Sequence, residues 1–209
     1  MPANESVKHF HELYYDSYDQ TWKNTYWLGV RVAKCPFDLW VYQEILWETR
    51  PDLVVESGTA WGGSALFIAT VLDQLGGGTV CTIDIADIPD RPSHPRIQYV
   101  LGSSTDREVI ARVGRLVRPA NQVMVILDSD HSSGHVAREL ELYAPLVTPG
   151  CYLIVEDTNL NGNPVVPDFG PGPAEALADF VRGNPDFRVD PAREKLLMTF
   201  NPGGYLLRR

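Results

Sequence analysis

The spacing of apolar residues along the chain changes period near residue 51. Before that point the pattern is helical: residues 5–18 read as one helix. Residues 36–49 read as a second, with Leu39, Tyr42 or Gln43, Leu46 and Trp47 recurring on one face. Pro36 suits a first helical turn, and Pro51-Asp52 ends the pattern. Beyond it, short continuous apolar runs take over at 53–55, 79–84, 96–102, 123–128 and 151–157. Helical stretches at 64–75, 106–116 and 134–146 lie between most of them. Strands that are apolar on both faces and alternate with helices predict a parallel sheet covered on both sides. Two more short strands are expected at 187–190 and 205–208, the last turned antiparallel by Asn201-Pro202-Gly203-Gly204. The expected fold is therefore α/β. It is a Rossmann-like, doubly wound, mostly parallel sheet of about seven strands with an antiparallel C-terminal strand. One domain is expected over 1–209, with residues 1–50 as an N-terminal helical cap on a 51–209 core.

Composition narrows what such a domain does. Apolar residues make up 44 % and charged residues 22 %, so disorder is expected only at the extreme N-terminus. The net charge of -9 and the lack of any Lys/Arg run argue against nucleic-acid binding. No apolar run nears the ~20 residues of a membrane span, and the start, Met1-Pro2-Ala3-Asn4-Glu5, has no basic stretch leading into an apolar one. Cys35, Cys81 and Cys151 are odd in number and show no paired spacing, which points to a reducing compartment and a cytoplasmic location. The first thirty residues are dense in aromatics, namely Tyr14, Tyr15, Tyr18, Trp22, Tyr26 and Trp27. They suit either a cap over the core or a lid or oligomer contact over a small-molecule pocket.

In a sheet of this kind ligands bind beyond the carboxyl ends of the strands. Those ends carry Glu56, Asp84, Asp128 and the pair Glu156-Asp157. Glu56-Ser57-Gly58-Thr59-Ala60-Trp61-Gly62-Gly63-Ser64 is a glycine-rich turn from strand to helix, but its spacing is not Gly-x-Gly-x-x-Gly. A carboxylate before the turn repels a pyrophosphate and attracts the ammonium of a methionine moiety. Ser64, at the helix start, suits the carboxylate of that moiety. Gly58, Thr59 and Gly62 belong to the same cradle. Asp84, with Ile85 beside it, is placed to accept hydrogen bonds from ribose hydroxyls, a device shared by NAD and S-adenosylmethionine sites. Ser103 and Ser104 suit an adenine edge or, equally, the cap of the helix that begins near Asp106.

Asp128, Glu156 and Asp157 are three carboxylates on adjacent strand ends, which suit Mg²⁺ or Mn²⁺. Asp157 alternatively caps the following loop, and Asp130 lies behind the ligands. His131 lies at the mouth of this rim as a candidate catalytic residue. His131 and His135 have an i, i+4 spacing, yet the Glu of a His-Glu-x-x-His zinc site is absent. His135 then reads as an ordinary helix residue. The Asn/Gly/Pro-rich stretch 158–173 reads as a surface loop or a substrate lid, with Val165 and Phe169 available to an apolar substrate.

At these residues the chain resembles the cephalosporin hydroxylase family, which has the class I methyltransferase fold. The resemblance rests on residues 35–44, on Glu56-Ser57-Gly58-Thr59 with Gly62-Gly63-Ser64, on Leu127-Asp128-Ser129-Asp130-His131-Ser132, on Val155-Glu156-Asp157-Thr158 and on residues 201–206. It runs from about residue 20 to the end. The site also resembles those of macrolide-sugar O-methyltransferases and catechol O-methyltransferase. That likeness implies Asp128, Glu156 and Asp157 as Mg²⁺ ligands and His131 as the base, where the catechol enzyme has a lysine.

The expected activity is S-adenosylmethionine- and Mg-dependent O-methylation of a small molecule, with a sugar, a phenol or a polyketide hydroxyl as acceptor. Asp128 is expected in the cofactor site as well as at the metal. A homo-oligomer is expected, with no nucleic-acid or membrane partner. Two rivals are an NAD-dependent oxidoreductase, disfavoured by Glu56 and the glycine spacing, and a non-catalytic S-adenosylmethionine-binding partner of an oxygenase.

Overall fold

The computed structural model describes residues 5–209. The extreme N-terminus, where disorder is expected, and most of the segment tested for a leader lie outside the described residues. The described residues open with α1 (Glu5–Asp16), a small hairpin of β1 (Tyr26–Trp27) and β2 (Val30–Arg31), and α2 (Pro36–Thr49). Then come β3 (Leu53–Ser57), α3 (Gly63–Leu75), β4 (Thr79–Asp84), β5 (Ile97–Leu101), α4 (Arg107–Val117) and β6 (Val123–Leu127). The chain closes with α5 (Ser133–Tyr143), β7 (Tyr152–Val155), α6 (Pro173–Gly183), β8 (Phe187–Val189) and β9 (Tyr205–Arg208). The sheet has seven strands in the order β5-β4-β3-β6-β7-β9-β8. All pairings from β5 to β7 are parallel, and β9 runs antiparallel to both β7 and β8.

The expected α/β class and the antiparallel C-terminal strand are borne out. The apolar strands are buried on both faces because successive side chains alternate sides. Val55, Cys81, Ile83, Val125, Leu127 and Leu153 pack one way, under α4, α5 and α6. Val54, Val80, Met124, Ile126 and Ile154 pack the other way, under α2 and α3. Tyr42, Ile45 and Leu46 of α2 are fully buried there, so α2 is a layer of the sandwich as well as part of the N-terminal segment.

Residues ahead of α2 form the cap. Tyr14, Tyr15 and Trp22 pack on Cys35, Met198 and Phe200. His11 stacks on Phe200, with ring centroids 5.5 Å apart and planes 4° from parallel. The helix α6 is not expected from the sequence pattern, because the Pro/Gly-rich stretch before it reads as one long loop. It is nonetheless closed at its start by Gly172 N–H donating to Glu175 Oε2 at 2.7 Å. Among the described residues no helix is long and apolar enough to cross a membrane, and the three cysteines are free and buried.

Candidate active site

The chain leaves β3 toward β4 and β5, then returns on the other side of β3 as β6. This reversal opens a crevice above the strand ends. A cleft of about 790 Å³ lies there. Of the residues expected in the site, Gly58, Asp84, Ile85, Ser103, Ser104, Asp128, His131 and Asp157 line it. Glu56, Thr59, Gly62, Ser64 and Glu156 do not reach its wall and lie beneath or beside it.

Gly58 is required where it is. Its φ is +88°, and a Cβ there would lie 1.7 Å from the carbonyl oxygen of Asp128. Two strand ends therefore touch backbone to backbone at the cleft floor. Glu56 is 0 % exposed. Its Oε2 accepts from Thr82 Oγ1 at 2.6 Å, while Oε1 has no hydrogen-bond partner among the described residues. Burial raises its pKa, opposed by Lys34 and by hydrogen bonds from Ser64 and Thr82. Ser64 thus serves Glu56 from within. Thr59 pairs with Thr82 at 2.7 Å between the hydroxyl oxygens. The carboxylate of Asp84 accepts from the N–H groups of Ala60 and Ala86, each at 2.8 Å, and stands 3.4 Å from Arg91. It is fixed in orientation and still borders the cleft.

The acidic rim divides by the pleat. Glu56, Asp128 and Glu156 follow the parity of Val54, Ile126 and Ile154, so they turn to the α2/α3 side. There the ammonium of Lys34, only 5 % exposed, contacts Asp128 Oδ2 and lies 2.6 Å from Glu156 Oε1. Tyr42 OH donates to the same Glu156 oxygen at 2.8 Å. Burial works against the Lys34 ammonium, but Asp128, Glu156 and Glu56 outweigh it, and its pKa rises. Burial likewise pushes the Asp128 and Glu156 carboxyls up, with Lys34 opposing. Asp157 has φ +56° and faces His131, with His131 Nε2 3.2 Å from its Oδ2. Burial disfavours the imidazolium of His131, yet Asp157, Asp128 and Glu156 together raise its pKa above the ordinary value.

The ligand atoms of Asp128, His131 and Asp157 lie within 4.8 Å of one another. The two carboxylates at that spacing fit a hard divalent cation, and the imidazole stands beside them as a proton acceptor. Glu156 is outside this group, held by Lys34 and Tyr42. The unpartnered Glu56 Oε1 and the bare backbone at Gly58 fit the ammonium and close approach of a methionine moiety.

Tyr15 and Trp22 from the N-terminal segment, and Leu160, Val166 and Phe169 from the loop before α6, form the apolar wall. Val165 turns into the interior instead, 2 % exposed. Ser104 Oγ is 3.1 Å from His135 Nε2, so His135 is a lining residue of the cleft and not an ordinary helix position. Asp106 offers no side-chain cap to α4, and Ser103 instead makes a local turn with Thr105. Tyr42 reads from its periodicity only as a core position of the helix and His135 only as the i, i+4 partner of His131, while Lys34 carries no periodic or motif signal. Lys34 is an isolated cation just before the Cys35-Pro36 helix start, and only the fold brings it to Asp128.

Comparisons with known proteins agree with this fold. Residues 19–209 match the family described as Rhamnosyl O-methyltransferase/CmcI. The chain is 40 % identical over 214 residues to a Rhamnosyl O-methyltransferase of Mycobacterium leprae (strain TN), covering 100 % of this chain and 93 % of that protein. An apo structure of CmcI superposes with TM-score 0.68 at 23 % identity, over 89 % of this chain and 76 % of that one. A Mg- and SAM-bound structure of CmcI gives TM-score 0.67 at 21 % identity, over 90 % and 77 %. The chain belongs to the Rhamnosyl O-methyltransferase/CmcI family.

Proposed function

We propose that this chain is an S-adenosylmethionine- and divalent-cation-dependent O-methyltransferase acting on a hydroxyl of a sugar, a rhamnosyl unit in the first instance. One observation carries the reading. A single cleft at the strand reversal brings Asp84, the bare backbone at Gly58 and the Asp128–His131–Asp157 group to one wall. The name of the 40 % identical relative supports the rhamnosyl acceptor, and the Mg- and SAM-bound neighbour supports the cofactors.

When bound, S-adenosylmethionine supplies an electrophilic methyl, and a cation held by Asp128 and Asp157, with Glu156 as a third ligand, supplies charge that lowers the acceptor hydroxyl's pKa. This chain's own residues do the rest. Glu56 Oε1 receives the cofactor's ammonium, Asp84 its ribose, and Ser103 and Ser104 its adenine edge. His131 Nε2 takes the acceptor proton, and Asp157 balances the imidazolium that results. Tyr15, Trp22 and Phe169 cover the sugar ring and exclude water. Holding the two reactants in line is the larger part of the acceleration.

The test is methyl transfer from isotopically labelled S-adenosylmethionine to rhamnosyl glycosides. Transfer is expected to stop with EDTA and return with Mg²⁺; transfer that EDTA leaves intact would sink the metal role. We also infer a cytoplasmic setting from the buried free cysteines. Trp40 and Trp47, each 60 % exposed on α2, suit a homo-oligomer, which light scattering tests.

A further inference from the structure

We propose that Lys34 is a resident cation of the metal centre: its ammonium bridges Asp128 and Glu156, and a divalent ion can take both carboxylates only by displacing it. The inference rests on the metal-dependent reading above and adds a competitor to it.

The contacts define the seat. Asp128 ends β6 and Glu156 ends β7, and both turn to the same face of the sheet. The Lys34 ammonium touches one oxygen of each. Glu56, fully buried on that face, is a third carboxylate felt by the same ammonium. One ammonium thus serves three carboxylates, and Asp157 adds a fourth across the strand end, beside His131. That imbalance leaves attraction for a doubly charged ion, with the seat between Asp128 and Glu156 already filled.

Lys34 is built to hold and to leave. Its backbone is fixed between the hairpin and α2: Val32 N–H donates to Thr25 O at 2.9 Å, and Leu39 N–H to Cys35 O at 3.3 Å. The four-carbon stem carries the charge, and such stems turn without moving the main chain. The neighbouring Ala33, with φ +56°, lines the cleft, so a displaced ammonium has open space beside it. Glu156 keeps its Tyr42 hydrogen bond when Lys34 withdraws and is not left without a partner. The linkage is reciprocal: each cation weakens the other's hold on the shared carboxylates.

The test is titration of Mn²⁺ into cofactor-free wild type and Lys34→Met, followed by calorimetry and by the electron-spin signal of free Mn²⁺. No turnover is needed. Displacement predicts that Lys34→Met binds Mn²⁺ more tightly, on the order of tenfold or more. Equal or weaker binding by a folded Lys34→Met overturns the proposal, and Lys34 then positions the ligands instead. Wild type that binds Mn²⁺ with no gain in the variant defeats only this inference. Absence of binding by both proteins defeats the metal-dependent reading with it. Should Lys34→Met fail to fold, reductive methylation of wild type decides. Labelling of Lys34 read by mass spectrometry is expected to rise several-fold with saturating Mg²⁺, and labelling that stays level or falls overturns the displacement.

Discussion

At the scale of single residues, the site is governed by one-residue offsets. Glu156 and Asp157 are adjacent in sequence and identical in charge, yet they serve different neighbours. The pleat sends Glu156 to Lys34 and Tyr42, and the left-handed backbone at Asp157 turns its carboxylate to His131. His131→Ala is expected to lower kcat by about 10²–10⁴-fold while leaving S-adenosylmethionine affinity unchanged. Comparing kcat with a cofactor titration checks this, and a full-rate variant would remove His131 as the base. Gly58→Ala is expected to abolish cofactor binding, because the added Cβ would lie 1.7 Å from Asp128 O and must force two strand ends apart. Binding that survives in Gly58→Ala would mean that the strand ends give way easily. The carboxylates and glycines were legible because strand ends and turn residues announce themselves by type and position. Lys34 was not. An isolated lysine is usually a solvated charge, and what buries this one is the path of the main chain over the sheet.

At the scale of elements, period and punctuation made most helices and strands readable. Pro36–Thr49 is found as expected because Pro36 opens it and Pro51 closes the pattern. Helix α6 is masked in the sequence although Ala176, Leu177, Phe180 and Val181 have helical spacing, because a Pro/Gly-rich loop runs straight into Pro173. The hairpin of β1 and β2 is too short for alternation to be seen. In α2, Ile45→Ala is expected to cost about 2–5 kcal/mol, since Ile45 is 0 % exposed and packs between layers. Chemical denaturation measures this, and a loss under about 1 kcal/mol would contradict the packing role.

The cap element is expected to respond to pH. Burial lowers His11 from 6.5 to about 4 while it stacks on Phe200 and lies 3.0 Å from Asn159 Nδ2. A folded pKa below the unfolded one means that the open state binds more protons between those values. Docking of α1 is therefore expected to be full above about pH 6.5 and to weaken as pH falls toward 4, by up to about 3 kcal/mol. Hydrogen exchange over residues 5–24 at pH 7 and pH 5 reads this directly. Exchange that is independent of pH after correction for the intrinsic rate would refute it. Because Tyr15 and Trp22 of this cap line the cleft, its opening is expected to expose the cleft as well.

At the scale of the whole molecule, the strand order decides where chemistry can occur. The reversal between β3 and β6 is where Asp84, Asp128 and the aromatic cap meet. The two faces are closed by α2 and α3 on one side and α4, α5 and α6 on the other, which leaves the strand ends as the open surface. The net charge of -9 disfavours contact with phosphate polymers and suits the neutral sugar acceptor proposed above. The doubly wound architecture followed from the alternation of apolar runs and helices. The seating of residues 5–24 over the cleft did not, because aromatic density says that packing occurs but not against what.

The most direct test of this account is calorimetric titration of S-adenosylmethionine and S-adenosylhomocysteine, with and without Mg²⁺, into wild type and Asp84→Ala. The account predicts one site per chain in wild type and a loss of binding in Asp84→Ala, whose carboxylate borders the cleft. Absence of binding in wild type under every condition, or undiminished binding in Asp84→Ala, would contradict the placement of a methyltransferase site at this strand reversal.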